Sequence, residues 1–253
     1  MHAWRLLQLE ANDAFTNMAV DEAIMMARME GLVPNTLRFY RWKPSAVSVG
    51  RFQDVSKEVY TENCRRHSVD VVRRITGGGA VYHDYEHEIT YSVIAHEKDF
   101  GTADVVSTYN RICDGLIEAA KILGVKADFS LGDPKRCPNI TINGRKISGS
   151  AQCRRGGALL QHGTFLLEAN LERMFTFLRV PWTRTPLDVI CVAENKITSL
   201  RRELGMAVSM EEAHQALVEG FRKALGVNFQ EKVLTSSEQS LAEKLRSETY
   251  ATN

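Results

Sequence analysis

The chain has 253 residues, 44% hydrophobic and 25% charged, and its 32 Lys and Arg against 31 Asp and Glu leave a net charge of +1. That length and composition suit a globular enzyme with a substantial core, and the even charge balance gives no sign of a nucleic-acid or membrane partner. Five cysteines, Cys64, Cys113, Cys137, Cys153 and Cys191, make no C-x-x-C pair and no Cys/His ligand spacing, which argues against a disulfide framework and a structural zinc site.

Residues 4 to 9 read as a strand, followed by an amphipathic helix from about Ala14 to Glu30 that Gly31 and Pro34 stop. Its methionines are expected to fill core. Thr36 to Trp42 and Ala46 to Val49 alternate like strands around the turn Lys43-Pro44-Ser45, and Ser56 can cap a short helix running to about Arg66. Val69 to Arg74, Ala80 to His83 and Glu88 to Ala95 are rich in β-branched and aromatic residues, so Gly77, Gly78 and Gly79 connect strands. A Rossmann or P-loop reading needs such glycines to open a helix, and is excluded.

Apolar residues at three- and four-residue steps from Val105 to Leu123 predict a long helix packed on the sheet, ended by Gly124. Asn143-Gly144 between two β-rich runs is a type I′ hairpin signal, and Gly156-Gly157 suggests a second turn before a strand from Ala158 to Leu167. Helices follow near Leu171 to Leu178 and from about Met210 to Leu225, with a polar helical tail from Ser236. The sum is an α+β fold, a mixed and largely antiparallel sheet packed against helices, in one domain over residues 1–253.

The densest chemistry lies in R-R-I-T-G-G-G-A-V-Y-H-D, Arg73 to Asp84. Three residues without Cβ let successive backbone N–H groups converge on an anion, and Arg73 and Arg74 can add charge-assisted bonds. A solvent-facing glycine hairpin is the bland alternative for a lone triple glycine. The flanking sequence reverses that preference.

N-M-A-V-D-E-A near residues 17 to 23, L-R-F-Y-R-W at 37 to 42, S-V-G-R-F-Q at 48 to 53, N-G-R-K-I-S-G-S-A-Q at 143 to 152 and L-Q-H-G-T at 160 to 164 accompany it. In this order the segments resemble the lipoate–protein ligase family, which extends to lipoyl and octanoyl transferases and, more distantly, biotin–protein ligases. The resemblance runs to about residue 200. It implies the same α+β architecture and the joining of lipoate or octanoate to a lysine of a carrier domain, the lipoyl domains of 2-oxoacid dehydrogenase E2 and the glycine-cleavage H protein.

The lysine of the family's G-R-K-I-S-G pattern contacts the activated acyl group, and Lys146 matches it, beside the small residues Gly149 and Ser150. An ammonium there offsets charge building on the carbonyl during attack by an amine. Arg73 and Gly77 to Gly79 are expected to hold the carboxylate or phosphate end, Val81 and Tyr82 to border the acyl tail, and His83 to orient the ligand or act as a base. Asn139 falls where ligases carry an Asn-Asp pair near nucleotide and magnesium, although the pair is incomplete. His162-Gly163 matches half of the ligases' H-H-G-T, with Gln161 in place of the first histidine as in the transferase branch. No metal site is expected in the protein itself.

Three readings follow. The first expectation is an ATP-dependent ligase using ATP with Mg²⁺ and a lipoyl-AMP intermediate, supported by the uninterrupted T-G-G-G-A-V-Y-H-D and aided by a separate small accessory protein. The alternative is an octanoyltransferase that carries the acyl group as a thioester on Cys137, whose thiolate Arg136 could favour. Six residues separate Cys137 from Gly144, fewer than in the transferase segment. The third is an idle relative that binds lipoyl carriers without turnover. The start of the chain lacks a signal-peptide pattern and no apolar run approaches the roughly 20 residues of a membrane span, so a cytoplasmic enzyme with reduced thiols is expected.

Overall fold

A computed structural model describes residues 3–101, 104–130, 138–180 and 186–251. The chain begins with β1 (Trp4–Asn12), and Asp13 then caps α1 (Ala14–Met29) by accepting from the Thr16 N–H at 2.7 Å. There follow β2 (Thr36–Trp42), β3 (Ala46–Val49), α2 (Val55–Glu58), α3 (Thr61–Arg66), β4 (Asp70–Arg73), β5 (Val81–His83) and β6 (Glu88–His96). The second half contains α4 (Val105–Ile122), β7 (Asp128–Ser130), β8 (Asn139–Ile142), β9 (Arg145–Arg155) and β10 (Ala158–Leu166). It ends with α5 (Leu171–Phe177), α6 (Pro186–Glu194), α7 (Leu200–Leu204), α8 (Met210–Leu225), β11 (Phe229–Glu231) and α9 (Ser236–Leu245).

Among the described residues the main sheet has eight strands in the order β11-β1-β2-β6-β10-β9-β8-β7, parallel only at its β11-β1-β2 end. This is the mixed, largely antiparallel sheet against helices that the sequence predicts. A separate three-stranded sheet, β4-β3-β5, was not foreseen: the sequence reads β2 and β3 as neighbours, whereas β3 leaves the main sheet and pairs with β4 and β5 instead. Asp54, not Ser56, caps the short helix after β3, and that helix breaks into α2 and α3 at Val59.

One face of the main sheet packs on α4 and α8, where Leu37, Phe39, Ile89, Tyr91 and Val93 meet Ile112, Leu116, Leu217 and Phe221. These helices approach closely because Gly115 and Gly220 face each other; a Cβ on Gly220 would overlap the Gly115 carbonyl oxygen. The opposite face carries α1 and, beyond it, α9. Arg5 anchors α9 to the sheet through a buried bidentate pair with Glu238, at 2.8 and 2.5 Å.

The strand β6 explains how a functional seam is made. Its residues alternate between apolar Ile89, Tyr91, Val93 and polar Glu88, Thr90, Ser92, the pattern of a strand with one wet face. Both faces are in fact buried, because α1 and the small sheet cover the polar side. Polar groups buried there must be hydrogen-bonded to be tolerated, and their partners define the site. No helix of the described residues is long and apolar enough to cross a membrane.

Candidate functional site

Between the small sheet and the polar face of the main sheet lie two chains of carboxylate, histidine and hydroxyl. In the first, Glu88 Oε1 is 2.7 Å from His83 Nδ1, and His83 Nε2 is 2.8 Å from Ser48 Oγ. In the second, Asp21 Oδ2 is 3.1 Å from His162 Nδ1, and His162 Nε2 is 2.7 Å from Thr76 Oγ1. Arg74 joins them, donating from Nη1 to Ser48 Oγ at 3.1 Å and from Nε to Thr76 Oγ1 at 3.1 Å. Since Arg74 only donates, each hydroxyl accepts from it and passes its own proton toward the histidine. In that arrangement the Nδ1–H of each ring is directed at its carboxylate.

Asp21 is the most heavily bonded carboxylate of the seam. Its carboxylate also accepts from Arg38 Nη1 at 2.8 Å, Ser92 Oγ at 2.9 Å and Tyr40 OH at 3.0 Å. Burial alone would raise its pKa, but His162 and Arg38 outweigh that and hold it below the usual carboxylate range. Burial pushes the His162 pKa down, with Asp21 offsetting only part of the effect. Trp42 stacks on His83 with ring centroids 4.0 Å apart and donates from Nε1 to Thr90, whose hydroxyl bonds Glu88.

The glycine loop sits on top of this seam. It crosses the end of β3 to link β4 with β5, and Arg74 Nη2 holds the carbonyls of Gly77 and Gly79, each at 2.7 Å. With those oxygens turned inward, the N–H groups of Gly77, Gly78 and Gly79 donate to no acceptor among the described residues. Gly78 adopts φ of +90°, and Gly50 packs so closely beneath that a Cβ there would overlap the Gly78 carbonyl oxygen. A partly exposed loop with unspent N–H donors can bind a carboxylate, a phosphate or a carbonyl oxygen gaining charge.

Lys146 lies on β9 one residue before a bulge that leaves Ile147 without a partner on β8. Its ammonium folds over Gly149, where a Cβ would overlap Nζ, and the Asn139 side-chain oxygen is 3.8 Å from that same position. Backbone bonds to Lys196 and Thr198, both 2.8 Å, fix the strand there. Gly149 and Ala151 share a face of β9, and Ala151 is paired with His162, the partner of Thr76. The step from Gly149 to Ala151 is roughly 7 Å along the strand, so Lys146, Asn139 and the glycine loop border the same polar face.

Other expected site residues fall elsewhere. Arg73 points away from the loop's N–H groups, with Nη1 bonded to the carbonyls of Gly50, Arg51 and Gln53 at 3.0, 3.3 and 2.7 Å. Strand alternation sends Arg74 inward in its place. Val81 and His83 face the main sheet, but Tyr82 faces the other way, stacked on Phe177 at 5.2 Å. Ser150 turns to the α4 side, 2.8 Å from Tyr91 OH. Gly163 has a packing role, since a Cβ would press on the Gly149 carbonyl and Ser150. His162 is buried beneath the loop and touches it only through Thr76.

Cys137 lies outside the described residues. Sequence reasoning passed over Asp21, Ser48, Thr76 and Glu88 as site groups, and it assigned Arg74 to the anion itself, whereas the guanidinium is bonded to Ser48, Thr76 and the carbonyls of Gly77 and Gly79. The signal available was N-M-A-V-D-E-A, a charged pair inside an otherwise apolar helix face. Among the described residues no group of three or more His, Cys, Asp and Glu side chains could hold a metal.

Comparison with known proteins adds to this geometry. Residues 13–222 match the family described as lipoyl protein ligase A/B catalytic domain. A protein of Kyrpidia tusciae named octanoyltransferase LipM is 38% identical, covering 99% of this chain and 97% of its own. One of the same name from Symbiobacterium thermophilum is 38% identical, covering 98% and 95%. Among solved structures, a lipoate-protein ligase A bound with ATP has a TM-score of 0.86 at 30% identity, covering 100% and 97% of the two chains. A bi-partite lipoate protein ligase from Thermoplasma acidophilum, studied with its E2 lipoyl domain, has a TM-score of 0.86 at 28% identity, covering 100% and 95%.

The curated relatives correct two expectations. An ATP-dependent ligase, working with ATP and Mg²⁺ through lipoyl-AMP, was expected from the uninterrupted glycine motif; the full-length relatives are named transferases. The physical reason is that the glycine loop does not discriminate. Free N–H groups receive any oxygen bearing negative charge, and a transferase that takes its acyl group from an already activated donor needs no adenylation.

Proposed function

Because the chain belongs to the lipoyl protein ligase A/B catalytic domain family, we propose that it is an octanoyltransferase, moving an octanoyl group from a thioester on an acyl carrier protein to a lysine of a lipoyl carrier domain. What carries this reading is the similarity, over nearly the whole chain, to proteins named octanoyltransferases. Gln161 and Gln152, the positions where this sequence parts from the ligase pattern, support it: their side chains bond each other at 2.9 Å and continue to Tyr91.

Cys137 is the proposed nucleophile. Its thiolate attacks the thioester carbonyl carbon, the carrier's sulfur leaves and takes up a proton, and the octanoyl group stays on Cys137. The neutral amine of the acceptor lysine then attacks the same carbon, the cysteine thiolate departs, and the nitrogen loses a proton to solvent as the amide forms. In both steps the carbonyl oxygen gains charge that the Gly77 to Gly79 N–H groups and the Lys146 ammonium are suited to stabilise. The buried Cys64 and Cys113 and the half-buried Cys153 are poor rivals. Burial raises Cys64 to about 11 and Cys113 and Cys153 to about 12, which leaves little thiolate.

The test is to offer the purified protein an unmodified lipoyl domain with either octanoyl-carrier protein alone or octanoate plus ATP and Mg²⁺. Modification by the first mixture and not the second supports the reading. Modification only in the second overturns it.

A further inference from the structure

At the far end of α1 lies a cavity of about 180 Å³, walled by Met25, Met26, Met29, Ile75 and Cys153, with Glu22 and the arginines Arg51, Arg154 and Arg155 completing its lining. Apolar cavities of roughly 150 Å³ admit a benzene-sized ligand, and methionine walls adapt to a flexible chain. Arg154 is engaged with Gln152 and Glu97. Arg51 and Arg155 are exposed and make no ion pair among the described residues; the Arg51 guanidinium lies over the Phe52 ring, 5.8 Å from its centroid.

Next to Arg51 stands Phe52, 89% exposed. An apolar ring so far out in water is ordinarily free to move, yet this one sits on a fixed turn. Three bonds from Arg73 hold the carbonyls of Gly50, Arg51 and Gln53, Gln53 Oε1 accepts from the Gly50 N–H at 2.9 Å, and the Arg51 N–H donates to the Thr76 carbonyl at 2.9 Å. The exposed ring is therefore tied to the glycine loop. Aromatic residues and arginine are enriched in the cores of protein interfaces, and a ring fixed in advance costs little entropy when a partner covers it.

We propose that Arg51, Phe52 and Arg155 form the docking surface for the acyl donor, an acidic carrier protein that brings its acyl chain on a phosphate-linked arm. This rests on the octanoyltransferase reading. The donor fits better than the acceptor because the surface borders a cavity that joins methionine walls to three arginines: the donor arrives with an apolar chain and a phosphate together, whereas the acceptor lysine brings no acyl chain. Two exposed cationic side chains that make no ion pair among the described residues attract the carboxylates and phosphate of such a partner and speed its approach.

The experiment measures KM for octanoyl-carrier protein, for octanoyl-pantetheine without carrier or phosphate, and for the lipoyl-domain acceptor, in the wild type, Phe52→Ala and Arg155→Glu. Thermal melting confirms that both variants fold. The proposal predicts at least a tenfold rise in KM for octanoyl-carrier protein, more pronounced at low salt, with KM for the acceptor unchanged and KM for octanoyl-pantetheine unchanged in Phe52→Ala and raised less than that of the carrier in Arg155→Glu. Calorimetric titration with the same carrier reads docking apart from turnover. Unchanged carrier affinity in both variants, or a rise confined to the acceptor, overturns it. If the wild type binds the carrier through this surface but transfers nothing from it, the docking stands and the octanoyltransferase reading fails.

Discussion

Arg74 donates to the carbonyl of Gly79 across 2.7 Å, and that bond sets the direction in which the glycine loop presents its N–H groups. The same guanidinium reaches Gly77, Ser48 and Thr76, so one buried charge positions the loop and both histidine chains. Deleting the guanidinium strips the donor from neutral acceptors, and each that stays buried and unsatisfied costs about 1–3 kcal/mol, about 3–5 kcal/mol for the group. Arg74→Ala should lose that much in urea unfolding, while Arg73→Ala, which frees only an exposed turn, should lose about 1.5 kcal/mol. Arg74→Lys keeps the charge but cannot span five acceptors, and is expected to fold with acyl transfer reduced at least tenfold.

A methyl group on Gly149 would occupy the space of the Lys146 ammonium. Lys146→Met is expected to slow transfer by about 10²–10³, the usual cost of one electrostatic stabiliser. Gly149→Ala should approach the same defect while leaving Lys146 in place. Single-turnover rates of amide formation check both; a Gly149→Ala protein with wild-type rates would show that the position of the ammonium does not matter.

The pH dependence of stability follows from His162. Its folded pKa is below the ordinary value of 6.5 because it is buried. The unfolded chain therefore binds a proton that the folded protein refuses as pH falls below that value. Stability is complete above about pH 6.5 and declines toward the folded pKa, with a slope of up to about 1.4 kcal/mol per pH unit for one proton. Burial lowers His214 as well, so His162→Gln should roughly halve the slope in urea unfolding between about pH 6.5 and 5. Asp21 and Glu238, both held below their ordinary values of 3.8 and 4.5, add losses of the same sign at lower pH.

Much of the fold could be read from local chemistry. The Asn143-Gly144 turn has φ of 50° and 76°, as a type I′ turn requires, and the helix expected from Met210 to Leu225 has those ends because a Ser209–Glu212 capping box starts it and Gly226 stops it. The site was less legible because burial of a polar face is a tertiary property. The alternation in β6 looks like a wet strand until the small sheet covers it. The same sheet decides that Arg74 and His83 point in while Arg73 and Tyr82 point out, a parity that no single strand reveals. The choice between ligase and transferase was hidden for a different reason: a glycine loop and a lysine serve a charged carbonyl oxygen whichever leaving group sits beside it.

Transfer through Cys137 predicts a covalent intermediate, with Cys137→Ser abolishing it and Cys191→Ser, at an exposed position on α6, leaving it intact. Intact-mass spectrometry of the protein quenched after mixing with octanoyl-carrier protein, without acceptor or nucleotide, is the most direct test. The account predicts a gain of one octanoyl group, mapped to Cys137 and discharged when an unmodified lipoyl domain is added. An unmodified protein that nevertheless octanoylates the lipoyl domain, or an adduct on another cysteine, would contradict it.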